Sequence, residues 1–328
     1  MFDGNLLKFN ILRTSKFFKG VWKYNQKLIK EFKTIKPEII WCDNIRTLIT
    51  IYIASRKVKA KIIWNIWSEP EGKIAWIVHR LGLLLADKIN TEYSGQGKKI
   101  FGKIADLSSL KEKIIPIYTG VSDFEEITGS DIRQELSLSP DAILIIMASS
   151  LLPGKGQIDL IKSMQILIKE SKKVFLIIAG TAVESSPESM KYEKKIVNYV
   201  KENNMKDAVH FIGWRSDIRD VFSKSDIYVS TSYSESFPDA VREAMLACLP
   251  VVVTNVGGTS ELVDLEENGF LFEPGDQKTL TNYLRRLINN PYERKEMGLK
   301  SRDIIDRKFS TKLYARNFEN MLKKTIAH

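Results

Sequence analysis

Residues 226–263, DIYVSTSYSESFPDAVREAMLACLPVVVTNVGGTSELV, constrain this chain more than any other stretch. The β-branched run at Ile227 and Val229 ends in polar Ser232, Tyr233 and Ser234. Pro238 then opens a helical spacing, with apolar residues at 237, 240, 241, 244, 245 and 248. A second apolar run over 250–254 follows at once, then Gly257, Gly258 and another helix start. Strand, helix and strand in such close succession imply a parallel sheet. In open parallel sheets ligands bind beyond the carboxyl ends of the strands, where a helix N-terminus offers N–H groups and positive dipole to an anion. Residues 235–238 occupy that place, with Glu235 in the loop and Glu243 eight positions later.

The same alternation runs through the rest of the chain. Helical spacing over 17–32 stops at Pro37, and strands are expected over 38–42, 61–66, 88–92 and 113–117, with helices over 45–55 and 74–86 among them. Residues 120–140, with several acidic side chains and weak periodicity, read as a linker. Strands over 142–147, 173–178 and 208–212 then alternate with helices and lead into the opening stretch. Beyond it come a strand at 270–272 and three helical patterns ending near Ile326. The 328 residues suit two α/β domains at the usual ~100 to 200 residues each.

Charge is unevenly placed. Residues 1–120 hold 22 Lys and Arg against 10 Asp and Glu, and the remainder hold 28 against 30. The basic half includes Lys16, Lys19, Lys23, Lys27 and Lys30 on one predicted helix. Such a face suits anionic lipid headgroups, nucleic acid or an acidic substrate, or is merely solvated. No aromatic-basic motif or zinc spacing supports nucleic acid. No run of 18 uncharged apolar residues occurs and MFDGNLL is not leader-like, so neither a membrane span nor a secretory signal is expected. Cys42 and Cys248 both sit in apolar settings and are expected as buried thiols of a reducing compartment. Three histidines, no paired cysteines and no Asp-x-Asp give no reason to expect a metal.

Four motifs carry chemistry, each with a plainer reading beside it. In Pro153-Gly154-Lys155-Gly156 a glycine-rich turn lets backbone approach a phosphate beside an ammonium, but Pro-Gly turns are also common on surfaces. Glu235 and Glu243 serve either a ligand or a helix dipole, although Asp239 and Glu243 are like charges one turn apart. Gly257 and Gly258 permit a tight turn or a close approach to a ligand. Trp214 and Arg215, after Gly213, suit a nucleotide base or the edge of a core.

Together these residues resemble retaining glycosyltransferase family 4, nucleotide-sugar enzymes of GT-B type with two Rossmann-like lobes. The likeness rests on Lys155-Gly156, Phe211-Ile212-Gly213, Asp217, Asp226, Glu235-x7-Glu243 enclosing Phe237-Pro238, Pro250-Val251-Val252, Gly257-Gly258-x-x-Glu261 and Asn268-Gly269-Phe270, in order over 142–272. Weaker likeness in the first lobe covers 36–40, 86–89 and 119–121. The resemblance implies an acceptor-side lobe over 1–128 abbreviated at its N-terminus, a donor-binding lobe over 129–310, and a C-terminal helix over 311–328 crossing back to the first. It implies that Lys155 holds the donor diphosphate, Glu235 the sugar hydroxyls, the backbone at Ser236 and Phe237, ahead of Pro238, the phosphate side, and Glu243 the ribose. Lys155 and Glu235 are then the catalytic pair, and Gly156, Trp214, Arg215, Gly257 and Gly258 complete the donor site.

The implied reaction transfers a sugar from a nucleoside diphosphate to an acceptor hydroxyl, with no metal or other cofactor. The implied acceptor is a saccharide or lipid-linked chain of cell-surface polysaccharide or glycolipid biosynthesis, met in the cytoplasm or peripherally at an anionic membrane surface, with no nucleic-acid partner. Departures from the family pattern are Ser150 where an arginine is usual, the run WNIWS without a histidine, and the short first lobe. They raise a rival expectation, a nucleotide-sugar binder without efficient transfer.

Overall fold

The computed structural model describes residues 11–70, 72–122, 129–171 and 173–327. The MFDGNLL segment, residues 123–128 of the expected linker and the lobe boundary at 128 lie outside the described residues. The chain divides into two compact units, one reaching Ile117 and taking in residues from Ala315 onward, the other running from Tyr118 to Tyr314. Each is built on one parallel sheet with helices between its strands, the α/β class expected.

The first unit runs α1 (Ile11–Ile35), β1 (Ile39–Cys42), α2 (Ile45–Val58), β2 (Lys61–Ile66), α3 (Lys73–Leu85), β3 (Lys88–Thr91), α4 (Ser94–Phe101), α5 (Ser108–Lys111) and β4 (Ile114–Pro116). Its strands lie in sequence order, β1-β2-β3-β4. The Asn44 side chain starts α2 by accepting from the Thr47 amide at 2.8 Å, and Lys59 ends it in the left-handed region. Helix α3 lies close on β2 because Gly82 has no Cβ, which would meet the Trp64 ring at 2.6 Å. In the WNIWS run Asn65 and Trp67 both donate to the Asp43 carboxylate, at 3.1 and 3.0 Å, so an acid holds that strand end.

The second unit runs α6 (Ile132–Glu135), β5 (Ile143–Ala148), α7 (Gln157–Glu170), β6 (Val174–Ala179), α8 (Pro187–Glu202), β7 (Val209–Gly213), α9 (Ile218–Ser223), β8 (Ile227–Ser230), α10 (Asp239–Leu246), β9 (Val251–Thr254), β10 (Gly269–Phe272), α11 (Gln277–Asn289) and α12 (Pro291–Lys308). Helix α13 (Thr311–Ile326) passes from this unit into the first. The strand order β10-β9-β8-β5-β6-β7 reverses direction between β5 and β8, a topological switch point of the kind beyond whose strand ends open α/β sheets bind ligands. Strands β8 and β9 are buried at every position, so their sequences show continuous apolar runs rather than alternation.

Three expectations are corrected. No helix follows Gly258 beyond a single 3-10 turn, Thr259–Glu261. The Thr259 hydroxyl, 2.7 Å from the Thr254 and Val256 carbonyls and 3.0 Å from the Val256 amide, closes that turn on itself. Residues 129–140 are not loose: Asp131 caps α6, and Arg133 reaches Asp226 at 2.6 Å and the Ala142 carbonyl at 2.8 Å. Cys248 is exposed, because α10 stops at Leu246 and the chain turns left-handed there, φ 61°. Burial, helped by the charge of Asp43, pushes the Cys42 thiol up to about 12. A disulfide reagent should therefore titrate one thiol in the native protein and two after denaturation. Two native thiols would contradict this burial.

Candidate active site

Two loops face each other across the switch point, one after β5 and one after β8. After β5 the chain passes Ser149 and exposed Ser150, then makes the 3-10 turn Pro153–Lys155. Gly156 follows with φ 68°, and a Cβ there would collide with the Thr231 carbonyl oxygen. Glycine is required at 156 by a backbone in contact, which accounts for half of the PGKG motif structurally. The Thr231 hydroxyl donates to the Lys155 carbonyl at 3.1 Å, and the Tyr233 amide to the Gly154 carbonyl at 2.8 Å. These bonds lace the lysine turn to the end of β8.

The lacing sets the central geometry. Lys155 Nζ lies 2.6 Å from Glu235 Oε1, with 27% and 15% of the two side chains exposed. This charge-assisted bond sits ahead of α7 and α10, whose first residues follow Gly156 and Pro238 without a side-chain cap. The first-turn amides of both helices thus lack a side-chain acceptor from the cap residue.

The glycine pair explains how Glu235 is held. Gly257 has φ 54°, and a Cβ on it would strike the Glu235 carbonyl oxygen and lie 2.8 Å from that of Ser236. The Gly258 amide donates to the Ser236 carbonyl at 2.6 Å. The close approach that these glycines permit is to the glutamate loop itself. Phe237 is buried beside Tyr118 and Phe309, with ring centroids 5.4 Å away in each case. Arg242, 1% exposed, lies 4.6 Å over the Phe237 ring and donates to the Thr119 carbonyl and to Asp239. The charge of Asp239 still acts to raise the Glu243 carboxyl, and Arg242 opposes it.

Glu243 sits one turn into α10 and half-buried, 3.7 Å from Arg219 of α9. Burial raises its carboxyl above the ordinary range, and Arg219 opposes the rise without cancelling it. Tyr228 lies wholly buried on β8, and its phenol is pushed up by burial and by the charges of Glu235 and Glu243. Trp214 stands 75% exposed after β7. Arg215 instead turns to Glu135 at 2.9 Å and Asp217 at 2.6 Å, holding the Asp217 carboxyl at about 2. The structure thus brings Lys155, Gly156, Glu235, Ser236, Gly257 and Gly258 into one laced set. Arg215 is occupied by an ion-pair network.

Two neighbours of the site escaped sequence reasoning. Arg219 lacks any distinguishing spacing, and its partner is 24 positions away. Nothing in the spacing of α10 marks Arg242 as buried, and its partners, among them the Thr119 carbonyl and the Phe237 ring, lie outside that helix.

Comparison with known proteins accords with this architecture. The family described as "Glycosyl transferases group 1" matches residues 130–303, more than half of the chain. The chain is 25% identical over 281 residues to the UDP-Gal:alpha-D-GlcNAc-diphosphoundecaprenol alpha-1,3-galactosyltransferase of Escherichia coli, covering 81% of this chain and 70% of that protein. It is 34% identical over 159 residues to an uncharacterized glycosyltransferase of Haemophilus influenzae, covering 48% of this chain and 43% of that one. It therefore spans less than half the length of this second relative. Among solved structures, HepE of Anabaena in complex with UDP superposes with a TM-score of 0.79 at 22% identity, covering 93% of this chain and 82% of that one. Sucrose-phosphate synthase of Thermosynechococcus elongatus superposes with a TM-score of 0.77 at 19% identity, covering 95% and 80%.

Proposed function

This chain belongs to the group 1 glycosyl transferases, and we propose that it moves a sugar from a nucleoside diphosphate to an acceptor hydroxyl with retention. The observation that carries this reading is the meeting of Lys155 and Glu235 at 2.6 Å across the switch point, ahead of two helix N-termini. A leaving diphosphate needs positive charge and oriented amides, and the transferred sugar needs an acceptor for its hydroxyls. Lys155 and the amides at the start of α10 supply the first, and the Glu235 carboxylate the second. Without donor the two side chains satisfy each other, and donor binding exchanges that one bond for two new ones. Glu243 takes the ribose hydroxyls in this reading.

Ser150 is exposed and uncharged, so Lys155 carries the diphosphate charge without a second cation at that position. The name of the Escherichia coli relative, a transferase from UDP-Gal to a lipid diphosphate, and the UDP bound to HepE support a uridine donor and a cell-surface glycan or glycolipid pathway. Calorimetric titration with uridine and guanosine diphosphate tests the donor site. We expect saturable heat and a raised melting temperature with at least one of them. Neither heat nor stabilisation at millimolar ligand would overturn the reading, whereas binding without turnover would select the rival binder.

A further inference from the structure

The lysine turn has an acid close by in sequence that it does not use. Asp159 stands in the first turn of α7, four positions after Lys155, where a carboxylate suits the helix dipole. Lys155 pairs instead with Glu235, 80 positions away. Asp159 Oδ2 accepts from the Tyr233 hydroxyl at 2.8 Å. The Tyr233 amide donates to the Gly154 carbonyl at 2.8 Å, so one residue of the glutamate loop touches the chain on both sides of Lys155. Gly275, with φ 81°, leaves room for the phenol, since a Cβ there would stand 3.4 Å from its oxygen. The bond to Asp159 raises the Tyr233 phenol above the ordinary tyrosine range, which keeps it a donor.

Stability does not account for this bond. Tyr233 is 49% exposed, and a hydrogen bond within reach of water contributes little to folding. Backbone bonds at Gly154 and Lys155 already lace the two loops. The start of α7 has an acceptor of its own, the Tyr192 hydroxyl, 3.1 Å from the Ile158 amide. What the bond fixes is where a negative charge sits. A released Asp159 carboxylate competes with Glu235 for one ammonium, and a carboxylate held on that ammonium repels a diphosphate. Glu235 has sugar hydroxyls to take over its oxygens when the donor arrives, and Asp159 has none. We propose that Tyr233 is a positioning residue, withholding Asp159 from Lys155 and so keeping the ammonium for Glu235 and the donor diphosphate. The diphosphate in this proposal rests on the transferase reading, whereas the withholding does not.

Tyr233→Phe, Asp159→Asn and the double variant separate withholding from scaffolding, because asparagine keeps an acceptor for the phenol and removes the charge. Calorimetry with uridine and guanosine diphosphate reads whichever of the two wild type binds. Tyr233→Phe should raise its Kd about tenfold while melting near wild type, and Asp159→Asn should leave it within about twofold. Adding Asp159→Asn to Tyr233→Phe should restore wild-type affinity. A defect that persists in the double variant would reveal lost scaffolding and overturn the proposal, as would wild-type affinity in the folded Tyr233→Phe protein. A crystal structure of Tyr233→Phe needs no ligand. The Asp159 carboxylate is expected within about 4 Å of Lys155 Nζ, and finding it no nearer than in wild type would overturn the withholding. If that structure is as expected and wild type binds neither diphosphate, the withholding stands and the transferase reading falls.

Discussion

Glu243→Gln should weaken binding of the nucleotide sugar and of the bare nucleoside diphosphate alike, because both contain ribose. Glu235→Gln should not. With its carboxylate neutralised, Lys155 loses an internal partner at 2.6 Å and stays available to the diphosphate, so bare diphosphate affinity is kept or rises. The intact donor should lose about 1.5 to 3 kcal/mol, the scale of a charged hydrogen bond, and turnover should fall with it. If both acids served only helix dipoles, each substitution would cost about 0.3 to 1 kcal/mol of stability and leave ligand binding equally unaffected. Dissociation constants for two ligands and two variants, set beside two melting curves, separate the outcomes. Matched effects on both ligands would defeat the assignment. The pH dependence adds a sign. Burial raises the Glu243 carboxyl, so in the proposed role protonation should weaken ligand binding, as pH falls, at a higher pH than for an ordinary glutamate. The Glu243→Gln variant should lose that component.

Gly257→Ala should both destabilise the second unit and impair donor binding. The position needs φ 54°, and its Cβ would press on the carbonyls of Glu235 and Ser236. A left-handed alanine costs about 1 to 2 kcal/mol, and forcing two backbones apart adds roughly 1 to 3 kcal/mol. Neither backbone yields cheaply: Ser236 is tied to the Gly258 amide at 2.6 Å and Phe237 is buried among rings. Relief therefore has to come from moving Glu235, which separates it from Lys155. Gly20→Ala gives the opposite control, since a Cβ on α1 there meets nothing within 4 Å. It should stabilise by up to about 1 kcal/mol. A Gly257→Ala protein that melts and binds donor like wild type would show that the two loops are not held as described.

Several quoted motif residues prove to be architecture rather than site. Asp226 accepts from the Leu144 amide at 2.7 Å and from Arg133 at 2.6 Å, joining the starts of β5 and β8. Asn268 accepts from the Asp264 amide at 2.8 Å and donates to the Leu262 carbonyl at 3.2 Å, shaping the turn into β10. A pattern in one chain does not separate such roles, because a half-buried carboxylate that satisfies backbone and one that awaits a ligand have the same sequence signature.

The sequence by itself determined the alternation of strands and helices, since buried β-branched runs and helical apolar spacing are local properties of neighbouring residues. It also determined that Glu235 would stand in a loop before a helix start, where Pro238 opens α10. Local pattern failed where a distant group settled the outcome. Cys248 looked like the last apolar position of a helix, but the chain turns out of α10 two residues earlier. Arg242 is buried with its guanidinium donating to the Thr119 carbonyl, 123 positions away, a placement no local pattern marks. Only the tertiary structure decided that β5 and β8 are neighbours, and with that the meeting of Lys155 and Glu235 across 80 positions. Strand order is a property of packing between elements that share no local pattern, so no periodicity along the chain encodes it.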